Sequence, residues 1–157
     1  MSPKIIQFAE QTYLGMAKTF PSVEKFDPDE VFFKLFIPNL DLFKKYAVDE
    51  NLYAFPIDNK DGTFTYLAGC KVKKMDEVPD HMPDGSLLHV VPAGKYLQFG
   101  TTPRDLGEIA EEKLAKWFTA HPEFTPISGC DIEIYPPECT SADSLCWNLV
   151  PVQEDDS

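Results

Sequence analysis

The sequence predicts an α+β fold: two strand-helix-strand-strand repeats forming a curved, mainly antiparallel sheet, with helices on one face and a ligand groove on the other. Two observations lead there. Asp27-Pro28-Asp29-Glu30 and Thr102-Pro103-Arg104-Asp105 each supply a cap oxygen, a proline for the first helical position and an acid near the positive end of the helix dipole. The two helix starts stand about 75 residues apart, and each is followed by two strand-like runs, as in a duplicated unit. Each unit alone could not cover its sheet, and two side by side leave one face partly open between them.

The elements follow in order. Ile5, Ile6, Phe8, Tyr13, Leu14 and Met16 mark a strand pair or one long bent strand over Lys4 to Phe20, with Gly15 inside it. The first helix runs through Val31, Phe32, Leu35 and Phe36; Pro38 kinks or stops it, and Leu40 to Tyr46 can form a second short helix. Tyr53 to Ile57 and Phe64 to Val72 flank the turn Asp58 to Gly62 and read as a hairpin. Met75 to Gly85 is polar, carries two prolines and reads as the linker between halves.

The second half opens with a strand from Leu87 to Gly100, bent or bulged at Pro92, Ala93 and Gly94. A helix from Pro103 to Ala120 carries one apolar stripe of Leu106, Ile109, Ala110, Leu114, Trp117 and Phe118 and ends near Pro122. Strands at Ile127 to Tyr135 and Cys146 to Val152 complete the unit. The domain therefore spans 1–153, with repeats at about 4–74 and 86–152 and an acidic tail at 154–157 that is expected to fray.

At 157 residues, 43% hydrophobic and with 12 Phe, the chain can bury one substantial core. A formal net charge of −12 argues against nucleic acid and against an anionic membrane surface, and leaves a cationic ligand or a basic protein partner open. No basic region followed by an apolar stretch opens the chain and no run approaches spanning length, so a cytoplasmic protein is expected. Cys70, Cys130, Cys139 and Cys146 form no CxxC pair and, with His81, His89 and His121, no zinc spacing. They read as reduced, packing thiols, and no metal or cofactor is implied. His89 lacks a recognisable nucleophile or orienting acid, and His121 suits a helix C-terminus.

Four segments in order, FTYLAGCKV, PAGKYLQF, DIEIY and LVPV, together with a Trp-bearing helix, resemble the GyrI-like family over about Lys4 to Val152. That family includes the effector-binding domains of AraC-type transcription regulators. The resemblance implies a small-molecule binding domain with a groove between paired units, here without a DNA-binding part. It also implies a glutamate on the last strand, four residues before its proline, where cationic ligands are met. Counting back from Pro151, this chain has Trp147 there, flanked by Cys146 and Asn148, none of them acidic. The departure argues against recognition of a buried cation at that spot and against one alternative that the family offers, a hydrolase of small electrophilic compounds in the same groove; the other alternative, a gyrase-inhibitor-like regulator that binds a protein partner, has only the net charge in its favour.

Strand alternation selects candidates for that groove. In DIEIY, Ile132 and Ile134 point one way, expected under the helices, and Glu133 and Tyr135 the other. Tyr66 groups with Ala68 and Cys70; Tyr96 and Trp147 complete an aromatic lining, with Tyr53 and Phe55 at its edge. Aromatic walls with one carboxylate suit a flat, aromatic or cationic organic ligand through stacking, cation–π attraction and a charge partner. Glu133 is the nearest replacement for the missing last-strand glutamate.

Overall fold

Two links of two residues each set the topology. The computed structural model describes residues 3–155, and among these the strands are β1 (Lys4–Phe8), β2 (Gln11–Phe20), β3 (Leu52–Asp58), β4 (Phe64–Val72), β5 (Ser86–Val91), β6 (Gly94–Thr101), β7 (Phe124–Pro126), β8 (Ile132–Tyr135) and β9 (Cys146–Glu154). They form one antiparallel sheet in the order β1-β6-β9-β8-β3-β4-β2-β5, with β7 also on β9. Ala9-Glu10 joins β1 to β2 and Pro92-Ala93 joins β5 to β6, yet each link connects strands six places apart in that order. Laid flat, six places is roughly 29 Å, whereas three Cα steps reach about 11 Å. The sheet must therefore curl until its two ends meet. The expected single strand from Leu87 to Gly100 is accordingly two strands at opposite ends of the sheet, because Pro92 withholds an N–H just where the chain crosses over.

β2 and β4 approach each other closely at one pair of residues. Gly15 and Gly69 face each other there, and a Cβ on Gly15 would stand 2.1 Å from the Ala68 carbonyl oxygen. Only residues without side chains allow that approach. On the inner face of the curl, Tyr13, Tyr53, Phe55, Leu67, Tyr96, Ile132 and Leu149 form one apolar cluster. Tyr13 packs on Tyr53 at 5.0 Å and on Phe55 at 4.7 Å between ring centroids.

The helices cover the outer face. Asp27 caps α1 (Pro28–Val31), its Oδ1 accepting the Asp29 N–H at 3.2 Å, with Pro28 at the first position as expected. Ahead of Pro38 the helix widens into a π-turn at Phe32–Phe36, then tightens to a 3-10 turn at Ile37–Asn39 before α2 (Leu40–Lys44). The Asn39 side-chain amide donates to the Leu35 carbonyl at 2.8 Å and steadies this break. Val31, Phe36 and Phe43 are fully buried against Leu14, Ala54, Ala68 and Cys70.

The third helix, α3 (Glu108–Ala120), packs through Ala110, Leu114 and Phe118 on Phe99 of β6 and Val150 of β9. It begins one turn later than expected. The Leu106 N–H donates to the Thr102 carbonyl at 3.0 Å, Thr102 Oγ1 accepts from the Asp105 N–H at 3.3 Å, and Gly107 at φ 114° redirects the chain. The cap chemistry there builds a turn, and the helix starts after it. Ile109, placed in the stripe by periodicity, is 47% exposed.

Three smaller differences follow from pairing. Of the expected strand from Ile127 to Tyr135 only Ile132–Tyr135 forms, because Gly129 at φ 90° turns the chain ahead of it, and β7 lies upstream of the expected range. Glu154 belongs to β9, where it pairs with Lys95, and the Asp155 N–H donates to the Glu123 carbonyl. The rest of the expected tail, 156–157, lies outside the described residues. Among the described residues no helix is long and apolar enough to cross a membrane.

Candidate ligand-binding cavity

Between the α1–α2 arm and α3, part of the surface of β3 and β8 stays open, at Leu52, Pro56, Glu133 and Tyr135. The uncovered strip is the floor of a cavity of about 1140 Å³. The cavity therefore lies on the helices' own face of the sheet. The sequence-based expectation placed it opposite, because alternation separates two faces without saying which one the helices cover.

Glu133 stands at the centre of this floor. On β8 it is registered with Ala54 of β3 and Asn148 of β9, and the small Ala54 leaves room above it. Its Oε1 accepts the Tyr135 hydroxyl at 2.7 Å and the Tyr66 hydroxyl at 3.2 Å. Among the described residues Oε2 accepts no hydrogen bond, which leaves it available to a ligand. Burial raises the carboxyl's pKa, the two phenol donors pull it partly back, and Asp131 raises it further. Burial and the Glu133 charge push both phenols well above their ordinary value, so they remain donors at any working pH.

Asp131 lies two residues earlier on the same face. Asn148 Nδ2 reaches its Oδ2 at 3.5 Å. Burial pushes this carboxyl up to about 6 against that contact, and Glu111 of α3 adds to the rise. The walls are aromatic and aliphatic: Phe26 meets Tyr66 at 5.8 Å, Phe32 meets Tyr135 at 5.6 Å, and Leu106, Ala110 and Leu114 face them from the α3 side. Asp29, Glu50 and Glu111 also border the cavity, and Lys44 is the one basic side chain among its described lining residues. The ion pairs among the described residues, Lys18–Glu30, Lys60–Asp58, Lys95–Glu154 and Arg104–Asp143, leave Asp131 and Glu133 without a protein cation.

Of the residues the sequence singled out, Tyr66, Glu133 and Tyr135 come together here. Tyr53, Phe55, Tyr96 and Trp147 do not; they face the inner side of the curl. Tyr53 donates its hydroxyl to Asp49 at 2.6 Å, Phe55 packs on His89 at 4.7 Å, and Tyr96 packs on Phe8 at 5.4 Å. Trp147 is half-buried against the inner cluster, and its neighbour Asn148 presents the last strand's side chain to the cavity. Trp147→Ala should thus lower stability by about 2 kcal/mol through lost packing while leaving cavity ligands bound. Thermal shift with and without a ligand separates the two effects. Sequence reasoning missed Asp131, Asn148, Phe26 and Phe32. The alternation that selected Glu133 could also have found Asp131.

With this geometry in view, comparison with known proteins is informative. The profile of the Cass2 family, integron-associated effector binding protein, matches residues 4–146. The chain belongs to that family. A search of curated protein sequences returned no match. Among solved structures, the Cass2 chain is similar to SAV2435 bound to tetraphenylphosphonium, at TM-score 0.71 and 14% identity over 98% of this chain and 94% of that one. A protein of Staphylococcus aureus MU50 assigned to bacterial transcription regulation matches at TM-score 0.67 and 16% identity, covering 98% of this chain and 99% of the other. The EcmrR C-terminal domain matches at TM-score 0.65 and 12% identity, covering 98% of each chain. At these identities the likeness is one of fold. That fold is the GyrI-like effector-binding domain, an antiparallel α+β sheet with helices, as the sequence resemblance implies.

Proposed function

We propose that this Cass2 domain binds a lipophilic aromatic cation in the cavity, with Glu133 as its counter-charge. The observation that carries this is Glu133 itself: a carboxylate set in an aromatic-walled cavity, one oxygen held by two phenols and, among the described residues, the other unclaimed and no cation paired with it. A desolvated carboxylate is costly until a positive charge reaches it. An organic cation whose charge is shielded by rings loses little hydration on entering and gains stacking and cation–π contact with Phe26, Phe32, Tyr66 and Tyr135. The tetraphenylphosphonium bound to SAV2435 is a ligand of this chemistry, and it supports the choice of class.

The test is a matched pair of probes. Tetraphenylphosphonium and tetraphenylborate have nearly the same shape and opposite charge. The cation should raise the unfolding midpoint by mass action and the anion should leave it unmoved. Equal shifts from both, or none from either, would overturn the assignment.

A further inference from the structure

Asp131 carries the argument beyond a single charge, and the inference rests on the cation-binding reading above. Asp131 immediately precedes β8 and Glu133 lies two residues on within it; both are in register with β3, opposite Pro56 and Ala54, so their attachment points are spaced on the order of 7 Å apart. Both border the main cavity. Asp131 also borders a second, shallower recess of about 540 Å³, and Phe26, Pro56, Glu111 and Leu114 are shared by the two walls. The apolar lining thus runs past Glu133 to Asp131 and on toward the second recess.

The register explains why the passage is open at that point. Ala54 pairs with Glu133, and Ile57 bridges Cys130, which sets Pro56 opposite Asp131. Pro56 has no N–H to give, so the ladder lapses there. Across the passage stands Glu111 on α3, close enough to act on Asp131. Asp131 keeps one oxygen without a donor among the described residues, and Asn148 touches the other only at 3.5 Å. A single positive charge at Glu133 leaves this second acidic position unanswered.

We propose that the ligand class is a flat aromatic dication, one charge seated at Glu133 and the other between Asp131 and Glu111, with the rings bridging them along Phe26, Tyr66 and Pro56. Two fixed carboxylates at strand spacing act as a ruler for charge separation. A ligand whose charges are much closer together, or much farther apart, satisfies only one of them.

The matching probes are N,N′-dimethyl-4,4′-bipyridinium, whose two charges lie at a similar spacing, and N-methyl-4-phenylpyridinium, nearly the same shape with one charge. Their dissociation constants are measured by calorimetry at about pH 8, where carboxyls ionise, and at about 0.3 M salt, where the general field of the acidic surface is screened. The dication is expected to bind at least about tenfold more tightly than the monocation. Asp131→Asn and Glu133→Gln should each bring that ratio close to one, and Glu111→Gln should lower it. Glu112→Gln, on the exposed side of α3, should leave it unchanged. A wild-type ratio near one with the monocation bound would overturn the two-charge inference and leave the cation-binding reading standing. Binding of neither probe, with no response to tetraphenylphosphonium, would overturn both.

Discussion

Glu133→Gln is expected to weaken tetraphenylphosphonium binding by about 100-fold and, in the same protein, to raise the unfolding midpoint without ligand. The two effects share one cause. A charge pair near 5 Å at an intermediate effective dielectric is worth roughly 3 kcal/mol, and 100-fold is about 2.7 kcal/mol. Glutamine keeps the shape and can still accept from Tyr135, so the loss falls on charge. Without ligand, that charge is a burden, because burial raises the Glu133 pKa above its unfolded value.

Asp131, raised from 3.8 to about 6, behaves in the same sense. A carboxyl with a raised folded-state pKa holds its proton longer folded than unfolded. Stability contributed by the neutral form is therefore present at low pH and lost as pH rises from about 4 to about 6, at a cost on the order of 3 kcal/mol for Asp131. Cation binding runs the other way. It favours the ionised carboxylates, releases protons below about pH 6, and tightens as pH climbs through that window. Midpoints and affinities measured between about pH 4.5 and 8 should thus move in opposite directions, and Glu133→Gln should make both curves shallower. Affinity independent of pH in the wild-type protein would count against a carboxylate counter-charge.

Gly15→Ala should have the largest effect on folding, at more than about 3 kcal/mol, enough to leave little folded protein. The added Cβ would meet the Ala68 carbonyl oxygen at 2.1 Å and the Gly69 Cα at 2.7 Å, backbone atoms held in the β2–β4 ladder that cannot swing aside. Gly69→Ala meets the Leu14 carbonyl oxygen at 2.6 Å and should be nearly as severe. Gly94→Ala meets nothing within 4 Å and serves as the neutral control. Urea unfolding of the three variants reads this directly, and a Gly15→Ala protein as stable as Gly94→Ala would show that the fold does not depend on this close approach.

Much of this was legible locally. The hairpin of Tyr53 to Ile57 and Phe64 to Val72 follows from alternation and an Asp-Gly turn, and the α3 stripe from helical spacing. The grouping of Tyr66, Glu133 and Tyr135 follows from strand parity. What local pattern could not supply was the assignment of faces. Val31, Phe36 and Phe43 choose a side by meeting Leu14, Ala54, Ala68 and Cys70, contacts between distant segments that no period encodes. Parity then carried Tyr53, Phe55, Tyr96 and Trp147 to the inner cluster, where aromatic residues are filling and not lining. The π-turn ahead of Pro38 and the turn before Gly107 were also out of reach, since the proline signal says only that a helix is disturbed and the cap signal only that a backbone N–H is satisfied.

The crossed links between the sheet's ends have a consequence for selectivity. Each half of the chain clasps the other's outermost strand, so two short links tie the ends of the open sheet together and limit how far the curved floor can splay for a bulkier guest. The freedom to adapt falls to the rim, above all to the arm from Pro28 to Lys44, which is divided into four short turns of differing pitch. Such a binder fixes where charge must sit and leaves the guest's outline loosely specified.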